Sequence, residues 1–321
     1  MRAEVEIRFM EIVVGIEKLD RPFANPVLTI GNFDGVHLGH QALFRRVKER
    51  ARELGGQSLI MTFDPHPLQV LRPDNHIQLL TPGSSKLDLI ARCDIDATIV
   101  VPFTRELASL SAREFVEDVL VKRIGVRALI VGYDYRFGAG REGTTESLKE
   151  MGRRYGFEVE VVSGIEIEGR VVSSTAIREL IGSGKVREAS GLLGRPYEIR
   201  GVVVKGRERG GRLLGFPTAN VACEARPPLE RGVYAVRARV DGVWCDGAAN
   251  VGFNPTFGDT DLSLEVHLFD FQRDIYSRPV VVRFVDWIRP EQRFSGPEEL
   301  KAQIGRDVMR AREILSRNPE C

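Results

Sequence analysis

LTIGNFDGVHLGHQALFRRVKERARELGG, from Leu28 to Gly56, runs from an apolar strand through a glycine turn into a helix, and its reading decides the fold. Val27 to Ile30 is a short apolar run, and Gly31 and Gly35 permit a close turn. Leu43, Val47, Ala51 and Leu54 then recur at helical spacing until Gly55 and Gly56 end the pattern. His37 and His40 fall one turn apart where the helix begins and face the same way. A helix start offers unpaired N–H groups and a partial positive charge, so two imidazoles there complete a pocket for anionic oxygens. The ligand this implies is a phosphate chain. The alternative is a pair of histidines that merely satisfy polar contacts at a helix entrance, and an isolated HxxH would favour it.

Working outward, Ser58 to Phe63 in SLIMTFDPHP is a second strand that ends in a Pro-His-Pro turn. Strand, helix and strand form a βαβ unit, with the chemistry at the carboxyl end of the sheet where open α/β folds bind ligands. Ala97 to Val101, Ala128 to Gly132 and Val159 to Val162 read as further buried strands, and Ser111 to Ile124 as a helix. The first half is therefore predicted to be a doubly wound α/β domain. The pattern changes near Gly182, in IGSGKVREASGLLGRPYEI. From Ile199 onward, IRGVVVKG, GVYAVRARV, GVWCDGAANV, LSLEVHLF and RPVVVRFVDW alternate with turn residues, which predicts a small antiparallel β-barrel. A final helix from Pro297 to about Ser316 packs on it through Leu300, Ile304, Val308 and Ile314. The expected division is residues 1–187 and 188–321.

A chain of 321 residues suits two cores better than one. Lys and Arg number 46 against 45 Asp and Glu, a formal charge of +1 that provides no electrostatic footprint for nucleic acid. Cys93, Cys223, Cys245 and Cys321 are scattered without a CxxC pair, which argues against a disulfide framework or zinc cluster. The opening MRAEVEIRFMEIVVGIEKLD alternates charge with short apolar pieces, unlike a signal peptide, and no apolar run approaches the roughly 18 residues of a membrane span. A cytoplasmic protein without a membrane partner is expected, as a monomer or weak homo-oligomer.

Taken whole, GNFDGVHLGH resembles the HxGH signature of the nucleotidyltransferases that move AMP from ATP onto a phosphate, and its lead-in is similar to the flavin branch of that family. The resemblance implies nucleotide contacts at Gly31, Phe33, Asp34, Gly35 and Gly39, with His37 and His40 in catalytic roles. TFDPHP, a stiff turn on its own account, resembles the segment of flavin adenylyltransferases beside the flavin, which implies roles for Asp64, His66 and Pro67. VGYDYRFGAGREGTTESL contains a literal GxGxxG at Gly138, Gly140 and Gly143, but five residues separate it from the strand end at Gly132, where a dinucleotide fingerprint sits in the turn itself. It reads instead as a mobile loop. The loop is similar to the GxDFxFG segment of flavin adenylyltransferases, with Tyr135 replacing Phe, which implies flavin contacts at Asp134 and Phe137.

VSSTAIREL sets Ser173, Ser174 and Thr175 before a helix with Arg178 one turn inside. A simple N-cap explains the hydroxyls; hydroxyls, free N–H groups and a guanidinium at one helix start also make a phosphate clamp. The string resembles the SSTxIR motif of the same transferases, which implies nucleotide binding by the three hydroxyl residues and a catalytic role for Arg178. GSGKV, from Gly182 to Val186, lacks the earlier Gly and the Ser/Thr after Lys185 that a P-loop needs.

In the second domain KGRERGGRLLGFPTANV mixes glycines with Arg207, Arg209 and Arg212, either a flexible basic hairpin or a phosphate cradle. GFPTAN resembles the metal and nucleotide motif of riboflavin kinases, which implies nucleotide contacts at Gly206, Gly211, Arg212, Gly215 and Pro217, and Mg²⁺ ligation by Thr218 and Asn220. In an extended segment those two side chains point to the same side, as ligands of one ion must. LSLEVHLFDF places Glu265 and His267 on one face and Leu264, Val266 and Leu268 on the other. A solvated polar face accounts for that pattern, but the resemblance to the EVH strand of riboflavin kinases implies a catalytic base at Glu265. NVGFNPTFG and the run through Arg289 are also similar to that family, implying flavin contacts at Asn250 and Arg289, while Ser277 stands where a Gly is usual.

Together the resemblances cover nearly the whole chain in the order of the prokaryotic bifunctional riboflavin kinase/FAD synthetases. They imply that ATP serves as co-substrate with Mg²⁺, that riboflavin is phosphorylated to FMN, and that FMN is adenylylated to FAD. Three rival expectations are a single FMN adenylyltransferase with a flavin-binding regulatory C-terminal domain, an NAD-dependent oxidoreductase built on the Gly138 loop, and a non-catalytic flavin carrier.

Overall fold

The computed structural model describes residues 10–19, 22–74, 77–205, 215–253 and 262–319. Its strands are β1 (Glu11–Val14), β2 (Val27–Ile30), β3 (Ser58–Phe63), β4 (Ala97–Val101), β5 (Ala128–Gly132), β6 (Glu158–Val162), β7 (Glu166–Ile167), β8 (Arg170–Val171), β9 (Tyr197–Val204), β10 (Ala219–Cys223), β11 (Gly232–Val240), β12 (Val243–Phe253), β13 (Leu262–Leu268) and β14 (Pro279–Arg289). The helices are α1 (Leu38–Glu53), α2 (Pro67–Leu71), α3 (Gly83–Ala91), α4 (Arg105–Ser109), α5 (Ala112–Glu114, continuing as a π-helix over Phe115–Ile124), α6 (Thr145–Tyr155), α7 (Ser174–Gly182), α8 (Val186–Leu193) and α9 (Pro297–Arg317). They form two compact units: Met1–Ile77 with Thr81–Val172, and Gln78–Leu80 with Ser173–Cys321.

The first unit is a parallel sheet in the order β1-β4-β3-β2-β5-β6. β2 and β4 are buried along their full length, as a parallel sheet covered on both faces requires. Alternation divides the core. Leu28, Ile30, Leu59 and Met61 face the Phe115–Ile124 helix and Leu148, whereas Val27 and Ile130 meet Val47 and Ala51 of α1. The chain goes outward from β2 through β3 to β4 and then returns to β5 on the opposite flank, so the topological switch lies at the carboxyl end of β2.

The second unit is a closed antiparallel barrel, β10-β13-β12-β11-β14-β9. Tyr197, Tyr234 and Phe284 pack together on one face of the strands, and the Tyr234 hydroxyl donates to the Glu230 carbonyl at 2.5 Å. The opposite face carries α9, whose Ala311, Ile314 and Leu315 cover Ala235, Ala248 and Val285. Each such side chain contributes about 1.5–3 kcal/mol if an aliphatic or aromatic group is fully buried.

The fold class is as expected, and the differences are local. β10 begins inside GFPTAN, and β9 starts at Tyr197 rather than Ile199. α7 and α8 group with the barrel unit rather than with the sheet that precedes them. GSGKV is the turn between them: Gly184 has φ +78°, and a Cβ there would come 2.8 Å from the Trp287 indole. The GxGxxG loop is closed by Phe137 and Gly143, which exchange backbone hydrogen bonds of 3.3 and 2.8 Å, before Thr144 caps α6. Ser277 has φ +61°, which explains why a glycine suits that turn.

Candidate active sites

The NFDGV turn, Asn32 to Val36, begins at the switch point. Phe33, Gly35 and Val36 all have positive φ, so the chain coils tightly before His37 caps α1. His37 is buried, and its Nδ1 accepts from the His40 backbone N–H at 3.3 Å. That bond leaves the ring proton of neutral His37 on Nε2, as a donor. The two imidazoles stack with centroids 3.5 Å apart, and Phe33 meets His40 edge-on at 5.1 Å. At Gly39 a Cβ would lie 3.1 Å from the His37 ring and 3.5 Å from the Val172 carbonyl, so a larger residue there would push on the His37 ring. Gly31 is equally confined, since its Cβ would lie 2.9 Å from the Phe33 ring. Asp34 turns inward and accepts from the Thr81 N–H at 2.9 Å, while the Thr81 hydroxyl accepts from Gly35 N–H at 3.0 Å. Its carboxylate thus braces the turn, 47 residues along the chain from its partner.

At the end of β3, Asp64 reaches the start of α3, where a Cβ on Gly83 would be 3.3 Å from its Oδ2. His66 is buried and caps α2: Nδ1 accepts from Leu68 N–H at 3.2 Å, and its own N–H donates to Gln69 at 3.0 Å, with Pro67 in the first turn. Asp134 is exposed at the end of β5, whereas Phe137 is buried in the core, stacked 5.6 Å from Tyr135.

In the second unit, Ser173 is the N-cap of α7 and accepts from Ala176 N–H at 3.2 Å. Ser174 and Thr175 lie inside the first turn rather than before it. Arg178 is half-buried and its Nε donates to the Gln78 carbonyl at 3.0 Å, which fixes the guanidinium.

The barrel makes a longer-range arrangement. Asn220 of β10 is paired with Glu265 of β13, Glu265 with Asn250 of β12, Asn250 with Val233 of β11, and Val233 with Arg289 of β14. Directly paired residues in antiparallel strands project to one side, so four expected site residues share one transverse row over roughly 19 Å of sheet. The row lies on the face opposite Leu264, Val266 and Val251, which are buried. Thr218, two residues before Asn220, hydrogen-bonds Glu265. Burial pushes the Glu265 carboxyl above the ordinary carboxylate range, and the Thr218 bond opposes that shift. His267 Nδ1 lies 2.8 Å from the Pro217 carbonyl, fastening the entrance to the Thr218 segment. Arg289 is held by buried Asp307 through bonds of 2.9 and 2.7 Å, and donates to the Pro290 carbonyl at 2.9 Å. Gly215 has φ +82°; Gly206, Gly211 and Arg212 lie outside the described residues, as do Asn254 to Gly258.

Sequence reasoning passed over Thr81, His267 and Lys86. His267 could have been found from its sharing a face with Glu265. Thr81 and Lys86 carry no local signal, because their partners are distant in sequence. Lys86 is buried, and its ammonium donates to the Asn32 carbonyl, the Thr62 hydroxyl and the Phe63 carbonyl at 3.3, 3.0 and 3.0 Å.

Two family models match the chain: FAD synthetase over residues 21–176 and riboflavin kinase over residues 193–315. Bifunctional riboflavin kinase/FMN adenylyltransferases from Escherichia coli K12 and Pseudomonas fluorescens are 42% and 40% identical, covering 95% and 96% of this chain and 98% of each relative. The relative from Listeria monocytogenes is 39% identical over 91% of this chain and 93% of its own length. A crystal structure of a Streptococcus pneumoniae protein described as a macrolide-efflux protein superposes with a TM-score of 0.85 and 32% identity, covering 96% of this chain and 99% of that one. Among the described residues of the present chain, no helix is long and apolar enough to cross a membrane.

Proposed function

The chain belongs to the bifunctional riboflavin kinase/FMN adenylyltransferases, and on that premise we propose which of its residues carry each reaction. It phosphorylates riboflavin with ATP and adenylylates FMN with a second ATP. Adenylyl transfer is assigned to residues 1–187 and phosphorylation to residues 188–321, in line with the spans of the two family matches.

For phosphorylation, Glu265 takes the proton of the ribityl 5′-hydroxyl as that oxygen attacks the γ-phosphorus of ATP; FMN and ADP leave. A carboxyl whose pKa is raised by burial is a stronger base than an exposed one, which supports the role. Thr218 and Asn220 offer a hydroxyl and an amide oxygen beside Glu265, a hard donor set suited to Mg²⁺ when substrate phosphates complete the coordination. Among the described residues no group of three His, Cys, Asp or Glu could hold an ion unaided. When bound, Mg²⁺ supplies neutralisation of phosphate charge. Asn250 and Arg289 take the flavin side, and Gly206, Gly211, Arg212, Gly215 and Pro217 the nucleotide.

For adenylyl transfer, the FMN phosphate attacks the α-phosphorus of ATP and pyrophosphate leaves. An ionised phosphate needs no general base, so His37, His40 and Arg178 donate to and position the triphosphate. Gly31, Phe33, Asp34, Gly35 and Gly39 shape the nucleotide turn, and Ser173, Ser174 and Thr175 at the start of α7 are likewise assigned to nucleotide binding. Asp64, His66, Pro67 and Asp134 serve the flavin phosphate side; Phe137, expected to touch flavin, is buried in the core against Tyr135 and is assigned instead to supporting the loop that bears Asp134. We also place the protein in the cytoplasm as a monomer or weak homo-oligomer, without nucleic-acid or membrane partners.

The observation that carries the reading is the transverse row of Asn220, Glu265, Asn250 and Arg289. The test is chromatography of products from riboflavin or FMN with ATP and Mg²⁺. His37→Ala combined with His40→Ala should abolish FAD formation from FMN and leave FMN production intact. Parallel loss of both activities in a folded variant would refute the assignment.

A further inference from the structure

A lysine ammonium buried beneath the carboxyl edge of a sheet needs a reason, because removing it from water disfavours the charged form. Lys86 sits in the second turn of α3, with its side chain directed inward. Burial lowers its affinity for the proton, while Asp64 and Asp34 act in the opposite sense. Its three acceptors belong to two segments only. Asn32 follows β2, and Thr62 and Phe63 end β3. The last ladder pair between those strands is Ile30 with Met61, followed by the Gly31 N–H bond to the Met61 carbonyl at 3.1 Å. Beyond that point the two chains diverge, one into the His37 turn and the other into the Asp64–His66 turn. The Thr62 hydroxyl also donates to the Asn32 carbonyl at 3.2 Å, so ammonium and hydroxyl together replace the missing rungs.

We propose that Lys86 is a positioning residue for FMN adenylylation: its ammonium ties Asn32 to Thr62 and Phe63, setting the spacing between the His37 turn and the Asp64–His66 turn. The inference rests on the assignment of adenylyl transfer to these turns and goes beyond it by giving the spacing a cause. In-line transfer requires the attacking phosphate and the α-phosphorus to be aligned closely, and a displacement of about 1 Å can reduce the rate by about 100-fold. A neutral apolar side chain of similar length would fill the space and release both segments.

Lys86→Met and Lys86→Gln are to be compared with the parent in steady-state FMN adenylylation and riboflavin phosphorylation, with His37→Asn as a control. The expected result for Lys86→Met is a 10- to 100-fold fall in adenylylation kcat, with KM for ATP and FMN changed less than threefold and phosphorylation unchanged. Lys86→Gln, which keeps N–H donors without the charge, should fall between Lys86→Met and the parent. A merely structural role would instead lower the apparent kcat in proportion to the folded fraction, leave KM unchanged, and restore kcat to the parental value on cooling. That recovery, or a Lys86→Met kcat lowered less than tenfold, would overturn the proposal. FAD formation persisting in His37→Asn would overturn the siting of the reaction itself, independently of what Lys86 does.

Discussion

Replacing Glu265 by Gln separates catalysis from stability in opposite directions. The carboxyl lies in register with Asn220 and Asn250, bonded to Thr218, and burial raises its pKa above the ordinary 4.5. A raised folded pKa means that the native state binds the proton more tightly than the unfolded chain. Stability contributed by the protonated form is therefore complete below the unfolded pKa and is lost as pH rises through the folded value. Gln is neutral at every pH and keeps a group that can bond Thr218, so the variant should be at least as stable as the parent at pH 7. Its kinase activity should fall by about 10²–10⁴, the contribution of a positioned general base, equivalent to roughly 2.7–5.4 kcal/mol in the barrier. The assay follows FMN formation from riboflavin and ATP across pH, beside thermal unfolding of the same samples. The parental kcat/KM should rise with pH as Glu265 ionises, on a limb lying above the usual carboxylate range, and that limb should vanish in the variant. FAD formation from supplied FMN should be unchanged. A variant retaining more than about a tenth of the parental kinase rate would refute the reasoning, as would one that unfolds at a lower temperature.

His37→Asn should keep the α1 cap, because Asn also accepts from the first-turn N–H groups, yet lose FAD formation; unaltered melting with lost adenylylation is the expected pair of readouts. Ser277→Gly should raise stability by about 0.5–1 kcal/mol, the difference between relieving an L-residue at φ +61° and the added freedom of Gly in the unfolded chain, measured by urea unfolding. Gly184→Ala should destabilise by about 1–3 kcal/mol through its positive φ and the Trp287 contact, without changing KM for ATP at constant folded fraction; a selective KM effect would revive the P-loop reading. Asp307→Ala should cost about 3–5 kcal/mol by stranding Arg289, whose side chain is 14% exposed, and a loss below 1 kcal/mol in chemical unfolding would show that the pair is not what secures Arg289.

β2 to β6 were legible because each is a short run, largely apolar, bounded by turn residues, and α1 because Leu43, Val47 and Leu54 keep helical period, whereas β1, β7 and β8 are too short or too charged to stand out. α2, α3 and α4 were not anticipated: two are five residues long, and α3 has a lysine turned inward where a periodic reading sees a solvated charge. β10 does not stand out as a strand because it is five residues long and starts inside GFPTAN, where Gly215 and Pro217 break the alternating pattern just before it. Among the candidate site residues, His37 and His40 were visible as a pair, but their stacking and the bond between them depend on His37 standing outside the helix as its cap.

By itself the sequence determined which residues could do chemistry and in what local geometry: two imidazoles at a helix start, hydroxyls at another, and an alternating strand that places Glu265 opposite the core. These are near-neighbour properties, set by backbone sterics and side-chain period. The tertiary structure alone decided that Asn220, Glu265, Asn250 and Arg289 form one row, that Thr81 braces Asp34, and that Lys86 is buried against Asn32 and Phe63. Strand register and the burial of a charge depend on partners brought together only when the chain closes its sheets, and no window of sequence contains both sides of such a contact.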